Sequence, residues 1–275
     1  MKIKLFGSPR GKKAKKSDKA DIEKRRAYIL SNESDFYVRE AYKSLRTNII
    51  FSLPNEGCKK ICVTSAIASE GKSITVLNIA ISFAEAGQRV LIIDADLRRP
   101  SQSKFLNMTY APGLSNILVN KVGLPEAIHK DVYPNLDVIF SGDIPPNPSE
   151  LLGHERMGNL LEQLSSDYDY ILVDTPPVNV VTDACVLSRV LDGVLFVVRR
   201  GDSESSSVTY AVSQLEFAEA KLLGFILNDA QVAPAAKYGY SKYRKYGYRY
   251  GYSKYGYRYG YSSRGQKSDE DALKD

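Results

Sequence analysis

Ala66 to Ser73 read A-I-A-S-E-G-K-S, directly after the apolar run Lys60–Ser65 and directly before a long helical pattern. Glycine, lysine and a hydroxyl at the mouth of a helix suit phosphate. Loop amides and the helix N-terminus offer donors and partial positive charge, the lysine reaches the β/γ-phosphates, and the hydroxyl takes Mg2+. The segment fits the nucleotide phosphate-loop pattern with Ala66 in place of its first glycine, and strand–loop–helix is the context that pattern demands. On this reading Ser69, Glu70, Gly71, Lys72, Ser73 and Ile74 surround the phosphates, Lys72 is the catalytic cation and Ser73 a metal ligand.

Two acidic sites follow, each at the carboxyl end of an apolar run. VLIIDADLRRP places Asp94 and Asp96 there, and YDYILVDTPP places Asp174. Carboxyl ends of strands form the ligand edge of an open α/β sheet. A carboxylate at that edge can hold Mg2+ directly or through water, or accept a proton from an attacking hydroxyl. One such aspartate can merely cap the next helix. Three of them beside a phosphate loop point to a nucleotide–metal site.

The elements that must position these residues alternate along the chain. Six runs rich in Val and Ile read as strands: Lys60–Ser65, Arg89–Asp94, Leu136–Ser141, Tyr168–Asp174, Gly193–Val198 and Leu222–Leu227. Several are apolar on both faces, as in a parallel sheet covered by helices. Helical patterns lie at Phe36–Leu53, Ser73–Ala86, Pro148–Ser165, Asp183–Leu191 and Ser205–Glu219. The expected fold is a doubly wound α/β domain with a mostly parallel sheet and helices on both faces. Expected boundaries are a basic flexible segment over 1–34, the nucleotide domain over 35–231, and a linker with tail over 232–275, opened by VAPAA at Val232–Ala236.

That tail carries KYGYSKYRKYGYRYGYSKYGYRYGY, eleven of the chain's nineteen tyrosines. It has no branched aliphatic residue and no period that would give one buried face, so it cannot offset the entropy of ordering it. Hydroxyls on such a strand suit presentation to a site. The net charge of +6 is divided. Residues 1–26 and 237–275 are strongly basic, while 27–236 hold seventeen basic and twenty-five acidic residues, a net of −8. Basic flanks fit an acidic partner, a membrane surface or nucleic acid. Three cysteines and two histidines supply neither a disulfide framework nor a zinc site; Cys58 and Cys62 read as ordinary cytosolic thiols. The start, MKIKLFGSPRGKK, has no apolar signal core, and no run reaches the ~18 residues a membrane span needs.

TSAIASEGKS, VLIIDADLRRP, ILVDTPP and the terminal tyrosine cluster together resemble the bacterial tyrosine kinases of polysaccharide export systems, over roughly residues 35–262. These are related to the ParA/MinD partitioning ATPases. The resemblance implies an ATP- and Mg2+-dependent kinase. In it Lys72 binds phosphates, Ser73 and Asp96 serve the metal, Asp174 is the Walker B carboxylate, and Asp94 or Asp96 is the base. The acceptors would be Tyr238, Tyr240, Tyr243, Tyr246, Tyr248, Tyr250, Tyr252, Tyr255, Tyr257, Tyr259 and Tyr261. It further implies a ring-shaped homo-oligomer such as an octamer, built through Glu40, Lys43 and Arg46, a cognate tyrosine phosphatase, and regulation of capsule or exopolysaccharide polymerisation. Ala68-Ser69 stands where the family usually has Pro-Gly, and Lys43 where it has Arg.

The alternative is a ParA/MinD-like ATPase without kinase activity. Those proteins usually carry a signature lysine at the second loop position, here Ile67, and have no tyrosine tail. A nucleic-acid binder stacking tyrosines on bases would leave the nucleotide site without a purpose, so no nucleic acid is expected. The chain resembles the separate-chain form of the family, which implies a transmembrane adaptor in trans that recruits a cytoplasmic kinase to the inner face of the membrane. The short VAPAA tether favours transfer between subunits.

Overall fold

The computed structural model describes residues 22–54 and 56–230; Tyr238–Tyr261 and Val232–Ala236 lie outside them. Residues 22–26 are helical (α1). Then follow α2 (Phe36–Ser52), β1 (Lys59–Ser65), α3 (Lys72–Ala84), β2 (Val90–Asp94), α4 (Gln102–Leu106), α5 (Leu114–Leu118), α6 (Leu124–Ala127), β3 (Ile128–Tyr133) and β4 (Leu136–Ile139). The second half comprises α7 (Pro148–Leu152), α8 (Glu155–Leu164), β5 (Tyr170–Asp174), α9 (Asp183–Leu187), β6 (Gly193–Arg199), α10 (Ser205–Phe217) and β7 (Leu222–Asn228).

The seven strands form one sheet in the order β3-β4-β2-β5-β1-β6-β7, parallel throughout except for β3, which runs antiparallel to β4. Fully buried runs such as Val90–Asp94 and Tyr170–Asp174 are covered on both faces, as their unbroken apolar character requires. On one face Ile61, Val63, Ile92 and Leu172 pack against α2 and α3. On the other, Leu91, Ile93, Ile171 and Val173 meet residues of α5, α7 and α8, and Cys62, Val194 and Phe196 meet α9 and α10. Nearly all of α3 is buried, which is why its sequence is apolar all round.

Three features differ from the sequence reading. The segment 22–34, expected within a flexible stretch, is tied down: Leu30 is buried, its N–H donates to Asn78 Oδ1 at 2.8 Å, and Asn78 Nδ2 donates to the Tyr28 carbonyl at 2.9 Å. The helix expected over Pro148–Ser165 breaks at Gly153, where a Cβ would lie 2.8 Å from Val186 Cγ1 on α9. It restarts behind His154, whose Nδ1 accepts from the Arg156 N–H at 3.3 Å. Strand β3 escaped notice because its centre, His129-Lys130-Asp131, is polar, as an edge strand can be.

All three cysteines are free thiols; burial pushes Cys62 up to about 12 and Cys58 up to about 11, so neither is a thiolate at neutral pH. Among the described residues no helix is long and apolar enough to cross a membrane.

Candidate active site

The loop between β1 and α3 is held in shape by its own glutamate. Glu70 is fully buried; its Oε2 accepts from the Ile67 N–H at 2.9 Å and its Oε1 accepts from the Ser203 hydroxyl, beyond the end of β6. Its carbonyl accepts from Asn228 Nδ2 at 2.8 Å, at the end of β7. The Glu70 side chain is therefore committed to the loop, and only its backbone can face a ligand. Ser69 turns with φ +69° and Gly71 with φ +88°. The glycine is doubly required, since a Cβ at 71 would sit 2.1 Å from Asn228 Nδ2. Behind it α3 starts without a side-chain cap, leaving its first amides free at the loop. Lys72 is buried at 8% exposure, with Ser73 and Ile74 partly exposed beside it.

Strand register brings the acids to this loop. Asp94 and Asp174 are paired neighbours at the ends of β2 and β5, and β5 lies directly beside β1. Both carboxyls are wholly buried. Burial first, then the charges of Asp174 and Asp96, push Asp94 well above the usual carboxylate range. Burial likewise raises Asp174, to about 6, although the Lys72 charge and the polar side chains of Ser73 and Gln102 pull it down.

The two acids are not equivalent. Asp94 has both oxygens engaged by backbone: Oδ1 by the Asp96 N–H at 3.2 Å, and Oδ2 by the N–H groups of Ser101 at 3.3 Å and Gln102 at 3.1 Å. Asp174 Oδ2 accepts from Gln102 Nε2 at 2.9 Å, and its buried Oδ1 has no hydrogen-bond partner among the described residues. Asp96 is partly exposed; its Oδ1 accepts from the N–H groups of Arg98 at 3.3 Å and Arg99 at 2.9 Å.

Lys72, Ser73, Asp94, Asp96 and Asp174 are thus gathered at one sheet edge, beside helix amides and an unpartnered buried carboxylate oxygen. Among the described residues no three His, Cys, Asp or Glu side chains form a metal cage. The sequence reading missed Gln102, whose amide bridges Asp174 and the Ser73 carbonyl, the latter at 2.9 Å, and missed Asn228 and Ser203. Ser101-Gln102 directly follow the DLRRP run, and Asn228 ends the last strand pattern, which were the available signals.

Glu40, Lys43 and Arg46 lie on α2, which packs against α3. Glu40 and Lys43 pair with each other at 2.7 Å in the open, whereas Arg46 turns inward and donates to the Ser82 carbonyl of α3.

The model of the AAA domain family matches residues 58–200. The tyrosine-protein kinase YwqD of Bacillus subtilis is 38% identical over 201 residues, covering 73% of this chain and 85% of that one. The kinase domain of Escherichia coli tyrosine kinase ETK superposes with a TM-score of 0.67 at 36% identity, over 74% of this chain and 80% of that domain. The septum site-determining protein MinD of Pyrococcus horikoshii, in complex with Mg-ADP, shares the fold at a TM-score of 0.55, 22% identity, 64% of this chain and 72% of that one. The partitioning ATPases thus share the architecture while the kinases share the sequence as well, and this chain belongs to the bacterial tyrosine-protein kinases.

Proposed function

We propose that this protein-tyrosine kinase uses ATP and Mg2+ to phosphorylate the tyrosine cluster Tyr238–Tyr261 of a neighbouring copy, and thereby regulates capsule or exopolysaccharide polymerisation and export. The observation that carries the reading is the gathering of Lys72, Ser73, Asp96 and the half-partnered Asp174 beside the α3 N-terminus. Mg2+ is bound by few protein oxygens and completes its shell with phosphate and water, so an edge with one or two open carboxylates fits it better than a closed cage does. Ser73, Asp96 and Asp174 would hold it, and it would neutralise charge developing on the phosphates.

The chain's own part is positioning. Loop amides and Lys72 fix the phosphates, and the buried edge strengthens each of those contacts. As the tyrosine oxygen bonds to the terminal phosphorus and the bond to the leaving oxygen breaks, the phenolic proton passes to an aspartate after β2. Asp94 has both oxygens engaged by backbone N–H groups, whereas Asp96 has only one so engaged, so Asp96 is the one a hydroxyl can reach. In taking the proton it would leave the metal to Ser73 and Asp174.

A transmembrane adaptor supplied in trans would recruit the chain to the inner face of the membrane, and a cognate phosphatase would reset it. Mass spectrometry of the purified chain, with its adaptor's cytoplasmic segment and Mg-ATP, should place phosphate within Tyr238–Tyr261. Lys72→Met should abolish the label with the fold intact; persistence of label in a verified Lys72→Met preparation would overturn the site.

A further inference from the structure

Asp183 is wholly buried at the first turn of α9, yet none of the roles above uses it. Its Oδ1 accepts from the Ser149 hydroxyl on α7 and lies 3.5 Å from Arg98 Nη2, which also donates to Ser149 Oγ at 3.0 Å. Its Oδ2 is buried with no hydrogen-bond partner among the described residues. A buried carboxylate with one oxygen unfilled is costly unless a cation stands ready for it. Arg98 is that cation, and it presents a planar fork able to take both oxygens.

Arg98 also belongs to the active edge. It stands two residues after Asp96, and its backbone N–H donates to Asp96 Oδ1. One residue therefore links the buried acid of α9 to the most accessible carboxylate of the site. At its base α7 packs closely on α9: it ends at Gly153, where a Cβ would lie 2.8 Å from Val186 Cγ1.

We propose that Asp183, through Arg98, is a positioning residue for phosphoryl transfer: it anchors the loop after β2 and so sets where Asp96 faces the reacting phosphate. Ser149 orients both partners. The inference rests on the kinase reading for the reaction it serves. Displacements of about 1 Å at such a site cost on the order of 100-fold in rate.

The test uses the full chain with its adaptor's cytoplasmic segment, Mg-ATP and a synthetic peptide of residues 237–261 as acceptor. Asp183→Asn keeps the size and an oxygen for Ser149 but removes the charge that holds Arg98. Expected is a 10- to 100-fold fall in kcat with KM for ATP changed less than threefold and no loss of thermal stability. Arg98→Ala should give a similar fall, and adding Asp183→Asn to it should change little more, because the two act as one unit.

A merely structural aspartate would lower stability and would act equally in both backgrounds. Unchanged kcat in folded Asp183→Asn, or additive losses in the double variant, overturns the proposal. Should Asp183→Asn fail to fold, Arg98→Gln, at an exposed position, and Ser149→Ala, at a half-buried one, must still show the loss of kcat at constant KM; unchanged kcat in both overturns it. If the wild-type chain transfers nothing to the peptide, the kinase reading has failed instead, and the same cycle read on ATP hydrolysis decides the anchor.

Discussion

At the scale of single residues, the phosphate loop is specified by backbone conformation as much as by chemistry. Gly71→Ala places a methyl 2.1 Å from Asn228 Nδ2 and forces an L-residue to φ +88°. We expect a loss of about 2 kcal/mol or more in denaturant unfolding, together with lost nucleotide affinity. Asn228→Ala in the same chain should recover only the steric part. Ser69 already endures φ +69°, so Ser69→Gly should leave stability unchanged or raise it by up to about 1 kcal/mol. The acids predict a pH dependence. Asp174 titrates at about 6 when folded, against about 3.9 when unfolded, so the folded chain holds this proton more tightly. Its stabilising contribution is complete below pH ~4 and is lost as pH rises through about 6. Asp174→Asn should therefore melt several degrees above wild type at pH 7.5 and close to it at pH 4, with activity abolished; a gap constant across that range would show that the carboxylate is not the cause. Lys72, Ser73 and the three aspartates were legible because their meaning lies in neighbours a few positions away. Gln102, Asn228 and Asp183 were not, because their partners Asp174, Glu70 and Arg98 are far along the chain and only the sheet brings them together.

At the scale of elements, six of the seven strands and every long helix could be read from periodicity, since burial on both faces leaves unbroken apolar runs. The helix break at Gly153 could not, because its cause is Val186 on another element. Helix α2 shows how one motif divides its labour. Glu40 and Lys43 form an exposed pair with both side chains about 45% accessible, of a kind that contributes little to stability. Arg46 is bound to the Ser82 carbonyl and, at 3.3 Å, to the Ser82 hydroxyl, in the last turn of α3 where carbonyls lack helical partners. Lys43→Ala should change unfolding free energy by less than about 0.5 kcal/mol, and Arg46→Ala should cost about 1–2 kcal/mol in the isolated subunit. Urea titrations at concentrations where the chain is monomeric check both. Equal costs would mean that Arg46 does not fasten α2 to α3.

At the scale of the whole molecule, charge separates the body of the chain from its tail. Residues 27–236 carry a net of −8, and residues 237–264 hold eight basic side chains and no acid. If a neighbour's tail is the substrate, its encounter with an acidic body is accelerated at low ionic strength and slowed as the screening length shrinks. Each phosphate adds about −1.5 to −2 to the tail, so four or five of them cancel its +8 and remove the attraction. Transfer between copies should then be fast for the first phosphates and slow for later ones. The measurement mixes Lys72→Met chains carrying an intact tail with active chains truncated after Ala236, and follows phosphate on the Lys72→Met partner. The initial rate should fall severalfold between 50 and 500 mM salt, and replacing the tail's Lys and Arg by Gln should lower it at 50 mM while erasing the salt dependence. A blank on the Lys72→Met partner in a mixture that co-assembles would sink transfer in trans, and a rate indifferent to both salt and tail charge would leave the tether and the site geometry, not electrostatics, in control of which tyrosines react.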